Sequence, residues 1–349
     1  MKRSTDRILT SHVGSLPRTK ELLGLYANDA SAETIDATLA TAVDGIVKRQ
    51  REIGIDIVND GDYGKPSGEE VDYSAWMNYT YDRLTGFEMR EFPKDMFVSD
   101  GEFADYESSP EAAIRPDPDA PYLLGVNVGE ITYTGQAQIQ RDIENLKAAV
   151  GPDSLDSAFI AATTVGLERF TPPSEHYAGP DEQAVALAEA MREEFKAITD
   201  AGLILQIDDP WIAWAFGADG TDFDAWANEH IELINHSIEG IPSDQIRFHV
   251  CWGSDKGPHV GDMPLAGNLE MILRIDAGLY SVEAANPRHE HEWRAWQDVK
   301  LPEGKSVMPG VITHKTNVVE HPEVIADRIV NYANAVGREN VIAGTDCGM

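Results

Sequence analysis

Apolar residues run along the chain in short blocks, most of which close on side chains able to do chemistry. The blocks are IDIVNDGD (55–62), EITYTGQ (130–136), SAFIAATT (157–164), LILQIDDP (203–210), IRFHVCW (246–252), LYSVEAAN (279–286), SVMPGVITH (306–314) and VIAGTDCG (341–348). Between several of them the apolar positions take helical spacing, as in residues 182–202, 223–240 and 322–337, and each of these stretches reaches a glycine suited to a helix C-terminus. Eight strand-like blocks alternating with helices predict parallel βα units of an α/β fold. Eight such units predict a closed (β/α)8 TIM barrel, one catalytic barrel over residues 1–349. A doubly wound open sheet is the alternative, but no G-x-G-x-x-G follows an early block. In a barrel the polar block ends gather at the C-terminal mouth, where such enzymes build their sites.

Residues 64–122 break the rhythm with Gly, Pro, acids and aromatics. They read as a long insertion after the first barrel strand, with a β-hairpin around 84–92. An acidic surface loop is the plain reading; a lid or an oligomer contact is the functional one.

Charge narrows the partners. Sixty acids against 28 Lys and Arg leave a formal charge of −32, which repels phosphate backbones and anionic lipid. No nucleic acid and no membrane are therefore expected, and no block approaches the length of a membrane span. The start, MKRSTDRILTSHVGS, lacks an apolar leader core and reads as mature protein. Two cysteines, Cys251 and Cys347, exclude a disulfide framework and suit a reducing, cytoplasmic setting.

Both cysteines fall at block ends. His249 and Cys251 in FHVCW are two apart, so on a strand they share a face and can point at one centre. Glu283 ends the next block and Cys347 the last, offering a carboxylate and a second thiolate. Imidazole and thiolate are the donors that Zn²⁺ prefers. Singly, His249 reads as an interior histidine and Glu283 as an ion-pair partner; it is their convergence that points to zinc.

Taken together, HVGSLPR (12–18), QIDDP (206–210), HVC (249–251), EAANPRHEHEW (283–293) and GTDCG (344–348) resemble the cobalamin-independent methionine synthase family. The likeness is closest to its single-barrel branch, which includes epoxyalkane:coenzyme M transferases. It runs from about residue 7 to the end. The resemblance implies a (β/α)8 barrel holding one Zn²⁺ on His249, Cys251, Glu283 and Cys347, the same four residues. A thiol entering such a metal shell loses its proton, and an electron-rich ligand set keeps its sulfur nucleophilic toward an electrophilic carbon.

The resemblance further implies that Val13, Gly14 and Ser15 meet a substrate carboxylate and that Asp208 holds its ammonium. Asp62 stands where the family carries a glutamate, one methylene longer, and Asp209 likewise replaces a glutamate. His314 and Asp208 are the candidate catalytic side chains, His314 as the acid for a leaving group or an epoxide oxygen. Arg288, with His289 and His291, is a candidate contact for a sulfonate or carboxylate. His12 reads equally as a structural hydrogen-bonder. The second, N-terminal barrel of full-length relatives has no counterpart here, so a methyl donor would be a folate or a corrinoid protein. The chain stops two residues after Cys347, where relatives continue into a closing helix, so that helix is expected to be missing.

Three functions follow. Methyl transfer to homocysteine, forming methionine, is the first expectation. Addition of coenzyme M to an epoxide is the alternative, and a non-catalytic barrel with a structural zinc is the third. A homo-oligomer is compatible with all three.

Overall fold

The computed structural model describes residues 1–28, 30–65, 67, 74–93, 122–166, 172–218, 221–254 and 259–349. Residues 66, 68–73 and 94–121 of the expected insertion lie outside the described residues.

Six strands form a parallel sheet in the order β2 (Val58–Asn59), β5 (Ala158–Thr163), β6 (Ile204–Asp209), β7 (Ile246–Val250), β8 (Leu279–Val282), β9 (Ser306–Pro309). A second parallel ladder joins β1 (Leu9–Thr10) to β10 (Ile342–Ala343). Isolated parallel bridges Val307–Val341 and Gly310–Gly344 continue from β9 to β10. On the other flank the Thr10 carbonyl accepts from the amides of Asp56 and Ile57, beside β2.

Long helices follow several strands: Gln136–Val150, Pro180–Asp200, Phe223–Ser237 and Pro322–Val336, beside Ala32–Glu52 ahead of β2. Their apolar stripes pack on one face of the sheet in a large cluster that includes Leu146, Phe195, Ile231, Phe248 and Tyr280. A smaller cluster of Val13, Ile57, Phe159, Ile204, Leu279, Met308 and Ile342 draws from strands across the whole array. Such distant strands can meet only if the sheet curls around them. Alternation does this sorting: along β7, Phe248 and Val250 enter the helix-side cluster while Arg247, His249 and Cys251 face the other way. Among the described residues no helix is long and apolar enough to cross a membrane.

Two expectations need correcting. The block 130–136 is not a strand of the parallel sheet; its Tyr133 makes only an isolated antiparallel bridge to Leu84, and the helix Gln136–Val150 begins at its end. Ile131 and Tyr133 alternate because both are buried in the helix-side cluster, which gave the segment a strand-like pattern. The place in the parallel array goes instead to β1, only two residues long. As a consequence the irregular segment follows the second parallel strand, not the first. Its β3 (Phe87–Phe92) pairs antiparallel with β4 (Tyr122–Asn127), so the expected hairpin strand at 84–92 finds its partner far along the chain.

Candidate functional site

The ends of β6, β7, β8 and β10 bring the chemistry together. β6 and β7 run in register with Asp208 beside His249, and β7 and β8 with His249 beside Ser281. Cys251 follows β7, its amide donating to the Asp209 carbonyl at 2.9 Å. The ligand atoms of His249, Cys251 and Cys347 lie within 4.8 Å of one another, and the two sulfurs are 3.5 Å apart. Both cysteines are half-buried and are not joined in a disulfide. His249 is buried; Ser281 Oγ occupies its Nδ1 at 3.1 Å, while Nε2 makes no hydrogen bond. A second partner on the far nitrogen is the usual way a protein orients a metal-binding imidazole.

Glu283 stands outside that group of three. Its Oε2 accepts from Asn286 at 2.9 Å, and its Oε1 is buried without a partner. Burial raises its carboxyl to about 7. The segment that carries it is clamped by Asp346, whose Oδ1 accepts from the amides of Ala284 at 2.8 Å and Ala285 at 2.9 Å. Asp346 precedes Cys347, so one carboxylate ties the carrier of Glu283 to the carrier of the second thiol. That approach needs glycine at 310, where a Cβ would stand 2.3 Å from Asp346 Oδ1. Sequence reasoning missed Asp346 as this clamp, although it sat inside the DCG signal.

The two thiols are hydrogen-bonded to each other. The hydrogen bond from Cys251 draws Cys347 well below the ordinary thiol value against the effect of burial, with His249 assisting, and the same bond pushes Cys251 up. Burial works against charge on His249, yet the Cys347 sulfur and the Asp208 carboxylate leave its pKa raised. Asp208 is half-buried and accepts from Gln206 at 2.7 Å. Burial raises it to about 7. Its neighbour Asp209 faces the helices instead, capping at Ile212 N (2.9 Å) and pairing with buried His230 at 2.6 Å.

His314 follows β9, half-buried, and neither ring nitrogen has a hydrogen bond; burial lowers its pKa. Arg288 is exposed and donates to the Val260 carbonyl at 3.0 Å. His289 is enclosed, with one ring nitrogen 2.8 Å from Asp262 and the other 2.8 Å from Glu292. Those two carboxylates leave it no free nitrogen for an anion. His12 bonds Gln50 Oε1 at 2.8 Å, the structural role allowed for it.

Val13, Gly14 and Ser15 line up against the same mouth. Val13 N donates to Thr345 Oγ1 at 3.2 Å, and Thr345 Oγ1 donates to the Cys347 carbonyl at 2.8 Å. Below them Arg247, wholly buried, donates to the His12 carbonyl at 2.8 Å and lies over the Phe159 ring. Gly14 has φ +145°, and a Cβ there would stand 3.0 Å from Asp62 Oδ2. Asp62 itself holds φ 58°, an uncommon conformation outside glycine. Its Oδ2 accepts from Ser15 at 2.6 Å and its Oδ1 from Lys65 at 2.8 Å. Lys65 was not singled out from sequence.

A curled parallel α/β sheet with a His–Cys–Cys cluster at its strand ends defines a class of protein that gathers soft donors able to hold a metal ion. Comparison with known proteins makes the class specific. The family model described as "Cobalamin-independent synthase, Catalytic domain" matches residues 175–349, half of the chain, and the chain belongs to that family. It is 22% identical to the 2-hydroxypropyl-CoM lyase of Xanthobacter autotrophicus, over 98% of this chain and 89% of the relative. It is 24% identical to the methionine synthase of Sulfolobus acidocaldarius, over 97% and 85%. Of a longer homocysteine methyltransferase that it also matches, it spans 39%. In fold it resembles the B12-independent methionine synthase of Shewanella sp. W3-18-1 solved with selenomethionine, with a TM-score of 0.69 and 19% identity over 98% of this chain and 91% of that one.

Proposed function

We propose that the chain is a zinc-dependent thiol S-alkyltransferase on a single closed (β/α)8 barrel spanning residues 1–349. The bridges from β9 to β10, the β1–β10 ladder and the hydrogen bonds of Thr10 beside β2 support closure of the sheet on itself. The observation that carries the functional reading is the cluster of His249, Cys251 and Cys347 within 4.8 Å, with unbonded His249 Nε2 and Glu283 Oε1 buried in the same mouth. Buried polar atoms normally find partners, so these two are best explained as ligand atoms. Two sulfurs, an imidazole and a carboxylate fit Zn²⁺. When bound, Zn²⁺ supplies a centre at which a thiol gives up its proton near neutral pH.

The chain's own residues do the rest. Ser281 holds the His249 ring, and Asp346 holds the segment bearing Glu283. Cys347, already drawn toward thiolate, keeps the centre electron-rich. His314, with a pKa lowered by burial and both ring nitrogens unbonded, is suited to take up the proton that the thiol gives up and to pass it to the leaving atom. The sulfur of the substrate then forms its bond to an electrophilic carbon, a methyl on a folate or corrinoid carrier or a ring carbon of an epoxide, as that carbon's bond to its leaving atom breaks. Methyl transfer to homocysteine and addition of coenzyme M to an epoxide both have this form. Two half-buried free thiols 3.5 Å apart suit a reducing cytoplasm.

Zinc content and calorimetry test this reading together. Purified full-length chain is expected to hold one zinc, to bind a thiol with release of a proton, and to lose both in Cys251→Ser. Stoichiometric zinc with no thiol bound would leave a structural site; a chelator-free preparation that takes up no zinc would remove the mechanism.

A further inference from the structure

Arg247 is wholly buried on β7, on the strand face that also carries His249 and Cys251. Its Nη1 donates to Ser11 Oγ at 3.1 Å, and its Nη2 to the His12 carbonyl at 2.8 Å and to Met308 Sδ at 3.2 Å. The guanidinium lies 3.9 Å from the centre of the Phe159 ring, and Nε makes no hydrogen bond. Phe159 and Met308 belong, with Val13, to the apolar cluster drawn from strands across the array. A hydroxyl, a carbonyl, a thioether and a ring thus enclose the cation, and no carboxylate pairs with it among the described residues. A charge buried on those terms loses its water without gaining an opposite charge. An aliphatic side chain would fill the layer with no such penalty, so stability does not account for the arginine.

What it touches supplies the reason. Ser11 and His12 follow β1, Phe159 lies on β5 and Met308 on β9. Along the array β1, β2, β5, β6, β7, β8, β9, β10, Arg247 therefore joins every second member. Side chains of alternate strands meet in one layer in this way inside (β/α)8 barrels. Two routes then lead from Arg247 to the second thiol. His12 is followed by Val13, whose amide donates to Thr345 Oγ1 at 3.2 Å, and that hydroxyl donates to the Cys347 carbonyl at 2.8 Å. Met308 packs on Gly344, where a Cβ would stand 2.7 Å from Met308 Cγ, and Gly344 opens the segment that ends in Cys347. His249 rides on the strand of Arg247 itself, and Cys251 follows it. One side chain thus reaches both halves of a donor set whose two sulfurs lie 96 residues apart in the chain.

We propose that Arg247 is a positioning residue of the metal centre: its planar fork sets the segment bearing Cys347 against the strand bearing His249 and Cys251. This rests on the reading of the His–Cys–Cys cluster as a metal site and adds to it a residue outside the donor set. A rigid fork holds several acceptors in fixed directions at once, which a single ammonium does not. The arginine is kept for the site, and the metal-free fold is weaker for it.

The test uses full-length chain stripped of metal under reducing conditions, with Zn²⁺ and Co²⁺ themselves as probes and no turnover. Arg247→Met puts a flexible apolar side chain in the layer, and without metal it is expected to melt at or above the wild-type temperature. Its zinc affinity, read by competition with a chromophoric chelator, is expected to fall by roughly 10–100-fold. Cobalt enters sites of sulfur and nitrogen donors and shows each thiolate in a charge-transfer band. That band should drop from the intensity of two sulfurs in the wild type toward that of one in the variant. Arg247→Lys restores the charge without the fork and should recover only part of the affinity. Thr345→Val cuts the route from Val13 to Cys347 without touching Arg247 and should weaken the same band. An unchanged cobalt band in folded Arg247→Met would overturn the role of Arg247 and leave the metal centre standing, whether or not metal-free stability had fallen. Full recovery in Arg247→Lys would overturn it too, since charge alone would then suffice. Should Arg247→Met fail to fold, wild-type affinity and band in both Arg247→Lys and Thr345→Val would overturn it in its place. Wild-type chain that takes up neither metal would overturn both readings.

Discussion

Arg83 and Cys347 each stand at the centre of a buried polar cluster, and the two clusters are built in opposite ways. Arg83 pairs with Asp142 at 2.8 Å and with Glu194 at 3.1 Å, all three side chains less than a tenth exposed. Tyr79 and Tyr133 donate to the two oxygens of Glu194, the Arg83 guanidinium lies over the Tyr79 ring, and Arg141 takes the second oxygen of Asp142 at 2.9 Å. Cation, acids and hydroxyls answer one another, and the result fastens the segment around residues 79–83 to the helices Gln136–Val150 and Pro180–Asp200. Around Cys347 the accounts stay open: His249 Nε2 and Glu283 Oε1 have no partner. Burial lifts Asp208 and Glu283 to about 7, as happens when acids are enclosed without enough cations. A closed polar cluster holds a fold together; an open one is shaped around something else.

Breaking the closed cluster should cost the most. Arg83→Met removes the one cation paired to Glu194 among the described residues and leaves buried charge uncompensated, so a loss of about 3–5 kcal/mol is expected in urea unfolding. The same substitution should leave zinc affinity unchanged in whatever fraction folds. At the open cluster the sign reverses. Zinc at a hundred times its dissociation constant should raise stability by about 2.7 kcal/mol, seen as a rise in melting temperature that chelation removes. Cys347→Ser should abolish that rise while the metal-free protein melts close to the wild type. A rise that survives in Cys347→Ser would place the metal elsewhere.

Asp346 joins the two kinds of building, since it is a structural clamp inside the open site. Asp346→Ala strips the partners from two buried amides, Ala284 N and Ala285 N, and should cost about 2 kcal/mol. If Glu283 serves as a ligand, loosening the segment that carries it should also lower zinc affinity by roughly 10–100-fold. Equal affinity in the variant would mean that Glu283 is not held for the metal.

Much of the open site was legible in the sequence, and the reason is geometric. The i, i+2 spacing of His249 and Cys251 has one meaning on a strand, and block ends fall together at one rim of a parallel sheet. Cys347 needed nothing more than its place at such an end; Glu283, expected beside it on the same grounds, stands outside the group of three. What stayed hidden lacked a periodic signal. β1 is two residues long and is held by its neighbours' hydrogen bonds, so no apolar run announces it. The segment 130–136 gave the opposite error, since Ile131 and Tyr133 are buried at alternate positions without any ladder beyond one bridge. Lys65 was invisible because its partnership depends on the turn at Gly61 and Asp62, and Arg83 because its acids lie 59 and 111 residues away.

The smallest effect separates the closed style from the open one within a few residues of the site. His289 lies between Asp262 and Glu292, 2.8 Å from each, with Trp252 against its ring. Burial opposes a charge there, but the hydrogen bonds to both acids win and raise its pKa to about 9. An unfolded histidine titrates near 6.5. The folded state therefore holds the proton more tightly, and the stabilisation is complete below about pH 6.5 and disappears as pH rises through 9. Wild type and His289→Gln compared by urea unfolding should differ by on the order of 1–2 kcal/mol at pH 6, with the gap narrowing steadily toward pH 9.5. A gap that stays constant over that range would mean the imidazole is neutral throughout and that Asp262 and Glu292 are bridged by something other than its charge.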